Sequence, residues 1–391
     1  MNPYHSTPSR PRAAASGFTL IELLVAVTLG MVLVLALSTV MIRHDSGKRT
    51  VISTNDLSLT SSYISYSLDR ELRSAGSGFT QDSRDTFGCL LRVARGGAQI
   101  LPRAVAFPAP FDNVPQQVRL APVLIHAGLG ANNSDVLAVA TGSSGLGEAP
   151  IQVQLGSATA NNVRVANTIG LRANDLVLMA ESGVGCMVQQ VTTPFAGGAD
   201  QLLSFGGNYA KAEIDSLQLV DFGATNTAFV SLLGNTTGNR PILRLFGVGE
   251  NDRLFSFDML QLDGNDTALP VVDGVADLRA LYGVDTSVPA DGIIDAWIAP
   301  TTAGFTAAEL TDGSQAAHDR LLSILAVRVG MVLRSDRVER DAVAPASLTL
   351  FADLPVALQH SHAIAADQRQ QRFRTVEFTV PLRNVMIAAR L

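Results

Sequence analysis

From Phe18 to Ile42 the chain reads FTLIELLVAVTLGMVLVLALSTVMI, a run with one ionisable side chain, Glu22. At 1.5 Å per residue it makes a helix of roughly 37 Å, longer than the roughly 30 Å hydrocarbon core of a bilayer. A secretory signal peptide fits poorly, because its apolar region runs about 7–15 residues. A plain membrane anchor stays open on length alone. Charge does not choose an orientation, since Arg10 and Arg12 precede the run while Arg43, Lys48 and Arg49 follow it. With 47% hydrophobic and 16% charged residues, disorder of the whole chain is excluded. The 33 glycines and 17 prolines favour short elements and many turns, a β-rich body rather than a helical bundle. A net charge of −6 offers no global basic footprint, so nucleic acid is not an expected partner.

Residues 16–24 read SGFTLIELL and follow a short polar leader containing Arg10 and Arg12. This resembles a type IV prepilin leader. In that family a membrane-embedded prepilin peptidase cuts after the glycine, here Gly17, and methylates the new amino terminus, here Phe18. The family's fifth mature residue is a glutamate, the place that Glu22 occupies. Cleavage ahead of the apolar run leaves the helix on the mature protein. The pattern also makes chemical sense. A carboxylate within a membrane helix costs about 2.5–3.5 kcal/mol on insertion scales, so it is rare without a partner. Glu22 lies one turn from Phe18, whose amino group becomes a cation once the leader is gone. A neighbouring subunit's amino terminus can neutralise Glu22 as helices stack, which sets the stagger between subunits. The competing reading has Glu22 reaching headgroup water at little cost; within GFTLIE the assembly contact is favoured.

Beyond Ile42, RHDSGKRT is charged, and Gly47 could loosen the helix. Leu57, Ile64, Leu68 and Leu72 then define one helical face, at spacings of seven, four and four. Arg70 and Arg73 fall in the last turn, and SAGSG at 74–78 supplies the stop. One long helix to about Ala75 is expected. Many major pilins carry a proline in the membrane half; none stands between Phe18 and Ala75, which favours a minor subunit. After Gly76 the signals are β. DVLAVAT (135–141) and NDLVLMAES (174–182) are short runs bounded by turn residues. RLFSFDML alternates Phe255, Phe257 and Met259 before a turn at Asp263–Gly264. Leu325, Val327, Val329, Met331 and Leu333 predict a half-buried strand, with Arg328 and Arg334 among the intervening positions. Val376, Phe378, Val380 and Leu382 predict another, which Pro381 confines to an edge or an end. The stretches 142–170 and 196–240 read as long loops or weak strands.

Cys89 and Cys186 lie beyond the apolar run, so the prepilin topology puts both in an oxidising periplasm. A bond would close a loop of about 97 residues, worth roughly 4–5 kcal/mol in the chain-entropy model. Two buried free thiols are the alternative; the bond is favoured. Neither cysteine has a metal-ligand spacing, and no metal or other cofactor is expected. His360 and His362 in HSH would point to one side of a strand and could hold a metal, but ALQHSHAIAADQ reads as an exposed loop. Asp285, Asp291 and Asp295 depart from an EF-hand loop at Ser287, Pro289 and Ala290, so a capped turn is the better reading, with a different calcium geometry left open. No nucleophile elbow or phosphate-binding loop appears in proper context, and no catalytic residue is assigned.

Further segments resemble PilW-type minor pilins: LDRELRSAG (68–76), FGC (87–89), NDLVLMA before Cys186, VVDGVADLRALYGVDT (271–286), LLSILAVRVGMVLRS (321–335) and RFRTVEFTVPLRN (372–384). The resemblance implies an α+β, type IV pilin-like chain with four parts. These are a cleaved leader (1–17), a transmembrane helix (18–42), an amphipathic continuation (43–75) and a large β-rich periplasmic head (76–391). It also implies a non-catalytic subunit that starts in the inner membrane, primes pilus assembly and sits at the pilus tip. Its partners would be other minor pilins, the major pilin, the prepilin peptidase and a PilY-type tip adhesin. Two alternatives share parts of this pattern. A bulky minor pseudopilin of a type II secretion system has the leader and helix, but usually a shorter head. A pilus-displayed module binding DNA or host surfaces would want a basic aromatic stripe, which is missing.

Overall fold

The computed structural model describes residues 17, 19–142, 149–193, 195 and 201–389. The chain divides into two compact units, Met1–Ile52 and Ser53–Leu391. One helix, α1 (Leu20–Ser74), contributes residues to both. In the first unit, Leu20–Met41 is long and apolar enough to cross a membrane, and none of that stretch is buried. The helix runs through Gly47 without a break, since a single glycine costs only about 1 kcal/mol against alanine in a helix interior.

In the second unit, α1 buries Leu57, Ile64, Leu68 and Leu72, while Leu59, Tyr63 and Tyr66 point the other way and are exposed. The apolar stripe therefore enters the main core along one side only. The helix stops where Gly76 takes φ +84°, a left-handed conformation that suits glycine; a Cβ there would meet the Thr80 side chain at 2.5 Å.

Among the described residues, three larger sheets and three two-stranded pairs make up most of the rest. The first has six strands in the order Ala98–Leu101, Leu91–Arg95, Gly185–Gln190, Asp175–Glu181, Phe229–Asn235 and Ile151–Gln152. Its Leu176, Leu178 and Val188 face the main core, whereas Val177, Met179 and Met187 face a second core. Burial on both faces explains why DLVLMAE is continuously apolar rather than alternating. The second sheet is antiparallel, in the order Leu269–Asp273, Arg253–Asp258, Ile242–Gly249, Val136–Thr141 and Val123–His126. The third, also antiparallel, runs Ala296–Ile298, Val275–Val284, Ile324–Val338 and Gln371–Pro381. Gln371–Pro381 is an edge strand with its proline at the end.

Three expectations need correction. Ile324–Val338 is not half-buried. Val327, Val329, Met331 and Leu333 face the main core, and Val332 packs with Leu350 and Phe351 of a hairpin (Ser347–Leu350 and His360–Ala363) on the other side. Within 196–240, expected as long loops or weak strands, Phe229–Asn235 is a seven-residue interior strand of the first sheet, so the weak-strand reading understates it. Its signal is masked by flanking Thr and Asn and by an irregularity between Leu232 and Gly234. Finally, His360 and His362 are not in an exposed loop; they sit on a strand and are half-buried.

Candidate functional site

The first turn of α1 carries the residues on which the prepilin reading rests. Gly17 is exposed, and a Cβ built on it meets no atom within 4 Å. Among the described residues, nothing limits side-chain size there. Phe18, with the leader 1–16, lies outside the described residues. Thr19 and Glu22 are joined reciprocally. The Glu22 amide donates to Thr19 Oγ1 at 3.3 Å, while the Thr19 amide and hydroxyl donate to Glu22 Oε2 at 3.0 and 2.9 Å. This is a capping box, and it satisfies donors that a helix start leaves free. Its Thr-x-x-Glu signature is visible in the sequence, yet a reading aimed at subunit contacts passes over it. One carboxylate oxygen carries both contacts from Thr19, and the side chain lies on an exposed surface.

The other end of α1 is tied down within the second unit. Glu71 is buried and meets Arg244 at 2.6 Å. Burial pushes the Glu71 carboxyl above its ordinary range, and Arg244 opposes the shift. Asn384 donates to the carbonyls of Ser74 (3.1 Å) and Ala75 (3.0 Å), and the Thr141 hydroxyl donates to Ser74 at 2.5 Å. Helix-terminal carbonyls lacking intrahelical partners are thereby satisfied from two distant segments. Asn384 belongs to the terminal LRN pattern, so that pattern's contribution is a helix cap. Cys89 and Cys186 are paired as a disulfide with Cα atoms 6.0 Å apart, beside the first strands of the six-stranded sheet.

The remaining singled-out residues hold the third sheet and its turns together. His360 Nε2 and His362 Nδ1 both face Asp277 Oδ2, at 2.8 and 3.0 Å, and Arg279 Nε donates to Asp277 Oδ1 at 3.0 Å. Burial disfavours ionisation of Asp277 more than any other influence. The two imidazoles and Arg279 together outweigh it and hold the carboxyl well below the usual range. The cluster clasps the hairpin onto the sheet. Asp285 accepts from the amides of Ser287 and Gly292, Asp291 from Ile293, and Asp295 from Thr286. These carboxylates cap a turn. Among the described residues, no three His, Cys, Asp or Glu side chains are grouped to hold a metal ion.

Comparison with known proteins adds two matches. The prokaryotic N-terminal methylation motif matches residues 12–38, and the family described as Type IV Pilus-assembly protein W (PilW) matches residues 238–384. Neither the comparison with curated proteins nor that with solved structures returns a match. The PilW match spans most of the second sheet and all of the third, and ends on the Asn384 that caps α1. Over these residues the chain is similar to the PilW-type, prepilin-like proteins of the type IV pilus.

Proposed function

We propose that the chain is a minor pilin that primes type IV pilus assembly and sits at or near the pilus tip, acting through contacts rather than catalysis. The observation that carries this reading is the state of α1. Its Leu20–Met41 stretch is wholly unburied and begins with Glu22 on an exposed surface. Such a surface suits lipid first and the helices of neighbouring pilins later, with Glu22 compensated by a neighbour's Phe18 amino group. Prepilin peptidase would act at Gly17–Phe18 on the cytoplasmic side of the inner membrane, leaving the head in the periplasm. A head this large is better suited to one place at a tip than to a repeated shaft. The PilW match favours a pilus over the type II secretion alternative. The test is co-purification after mild crosslinking in the native strain. Recovery of minor and major pilins, with a tip adhesin, is the expected result; recovery of secretion pseudopilins alone would replace the pilus with a secretion system.

A further inference from the structure

Three alanines leave a hollow against one face of the five-stranded sheet. Leu124 pairs with Ala138 and Ala138 pairs with Leu245, so the three lie in one cross-strand row. The small side chain in the middle leaves space that its leucine neighbours do not fill. Ala307 and Ala308 stand on one wall, the segment 114–119 on another, and Met259 also lines the hollow. The hollow is partly open to solvent and has a volume of about 440 Å³, within the range of pockets that hold small molecules.

His126 lies two residues beyond Leu124 on the same strand, hence on the same face, and lines this cavity. No described residue hydrogen-bonds its imidazole. Desolvation alone drives its pKa down to about 4, so the ring is neutral near pH 7 and offers one N–H and one lone pair. The residue is half-buried, so water can meet the ring in the hollow, and a ligand's polar group can take that water's place. The cavity also presents Arg119 and Asp312, which carry opposite charges. Arg119 is held by the Gly88 carbonyl at 2.8 Å, and Asp312 by the Ser314 amide at 2.7 Å. Charge at the site is balanced, so nothing there selects an ion.

We propose that this cavity is a binding site for an uncharged small molecule with a compact aromatic or aliphatic body and one hydrogen-bonding group, oriented by His126. The site draws on segments inside and outside the PilW match and does not depend on the pilus assignment. Phenol and toluene are the probes, since they differ only in a hydroxyl replacing a methyl group of similar size. The full chain, purified in detergent, is labelled at its methionine methyl groups, and the Met259 resonance is followed by NMR. Detergent takes up each probe equally for every variant, so ratios between variants are the quantity read.

In the unmodified protein both probes should shift Met259 saturably, on the order of 1 mM for ligands of this size. His126→Leu should weaken phenol about tenfold, the worth of one hydrogen bond, and leave toluene within about twofold. Ala138→Leu should abolish both while the melting temperature holds or rises, because the added methylenes occupy the cavity. Absence of saturable shifts in the folded protein at about 10 mM would mean the cavity holds water only, and would overturn the proposal. So would phenol binding that His126→Leu leaves unchanged, or probe binding that survives Ala138→Leu.

Discussion

Thr19 and Glu22 close a reciprocal capping box on the first turn of α1, in which Glu22 Oε2 accepts from both the amide and the hydroxyl of Thr19. The same carboxylate is the group expected to meet a neighbour's amino terminus. Glu22 thus has a local role, as the reciprocal partner of the Thr19 cap, and a proposed assembly role. Two substitutions separate them. Thr19→Val removes the cap and keeps the charge, so piliation should stay near normal. Glu22→Leu removes both and should leave fewer surface pili at normal protein level by immunoblot. Equal losses from the two changes would assign the effect to helix capping alone. Normal piliation in Glu22→Leu would require another docking element.

Processing tests the leader. Gly17→Val places a branched side chain at the scissile bond, where no described residue of the chain crowds it and the peptidase site should. The unprocessed chain should accumulate in the inner membrane. Mass spectrometry of the unmodified protein should show a mature start at N-methylated Phe18; a start beyond Ile42 would refute the prepilin reading.

The Cys89–Cys186 pair is expected to persist in periplasmic material. Denatured protein should contain no titratable thiol, and reduction should lower the melting temperature, the bond being worth several kcal/mol, about 4–5 in the chain-entropy model. Two thiols per chain in oxidised material would rule the bond out.

Asp82 gives a pH dependence. Burial, with the Asp85 carboxyl beside it, raises its pKa above the ordinary 3.8, and its Oδ2 has no hydrogen-bond partner. The native state therefore keeps a proton that the unfolded chain releases, and stability falls as pH rises above the ordinary carboxylate range. Asp82→Asn cannot ionise. It should raise the melting temperature at pH 8 by about 2–4 °C and flatten its slope between pH 4 and 8. An unchanged slope would show that Asp82 ionises freely in the folded protein.

Asn384→Ala should strip the Ala75 carbonyl of its side-chain donor and leave the Ser74 carbonyl with the Thr141 hydroxyl and the Ser77 amide. A loss of about 1–3 kcal/mol is expected, read as a lower melting temperature of the full chain with leader processing intact. A change below a few tenths of a kcal/mol would mean that water replaces the cap.

The sequence by itself determined the features that local pattern can carry. The apolar run, the leader motif ahead of it and the Leu57–Leu72 stripe each express a hydrophobic stretch or period within a few helical turns, and α1 follows them. Alternation likewise marked Arg253–Asp258 and the edge strand ending at Pro381. Alternation reports burial on one face; it does not say whether something covers the other. Only the tertiary structure placed a hairpin over Ile324–Val338, set a second core behind Val177 and Met179, and turned Phe229–Asn235 into a sheet strand. Partners far apart in the chain were equally out of reach. Asp277 meets His360 across 83 residues and Asn384 meets Ser74 across 310, and the space around Ala138 exists only once three strands and a distant helix enclose it. Side-chain periodicity encodes which way a residue points, and the packing of distant segments decides what it finds there.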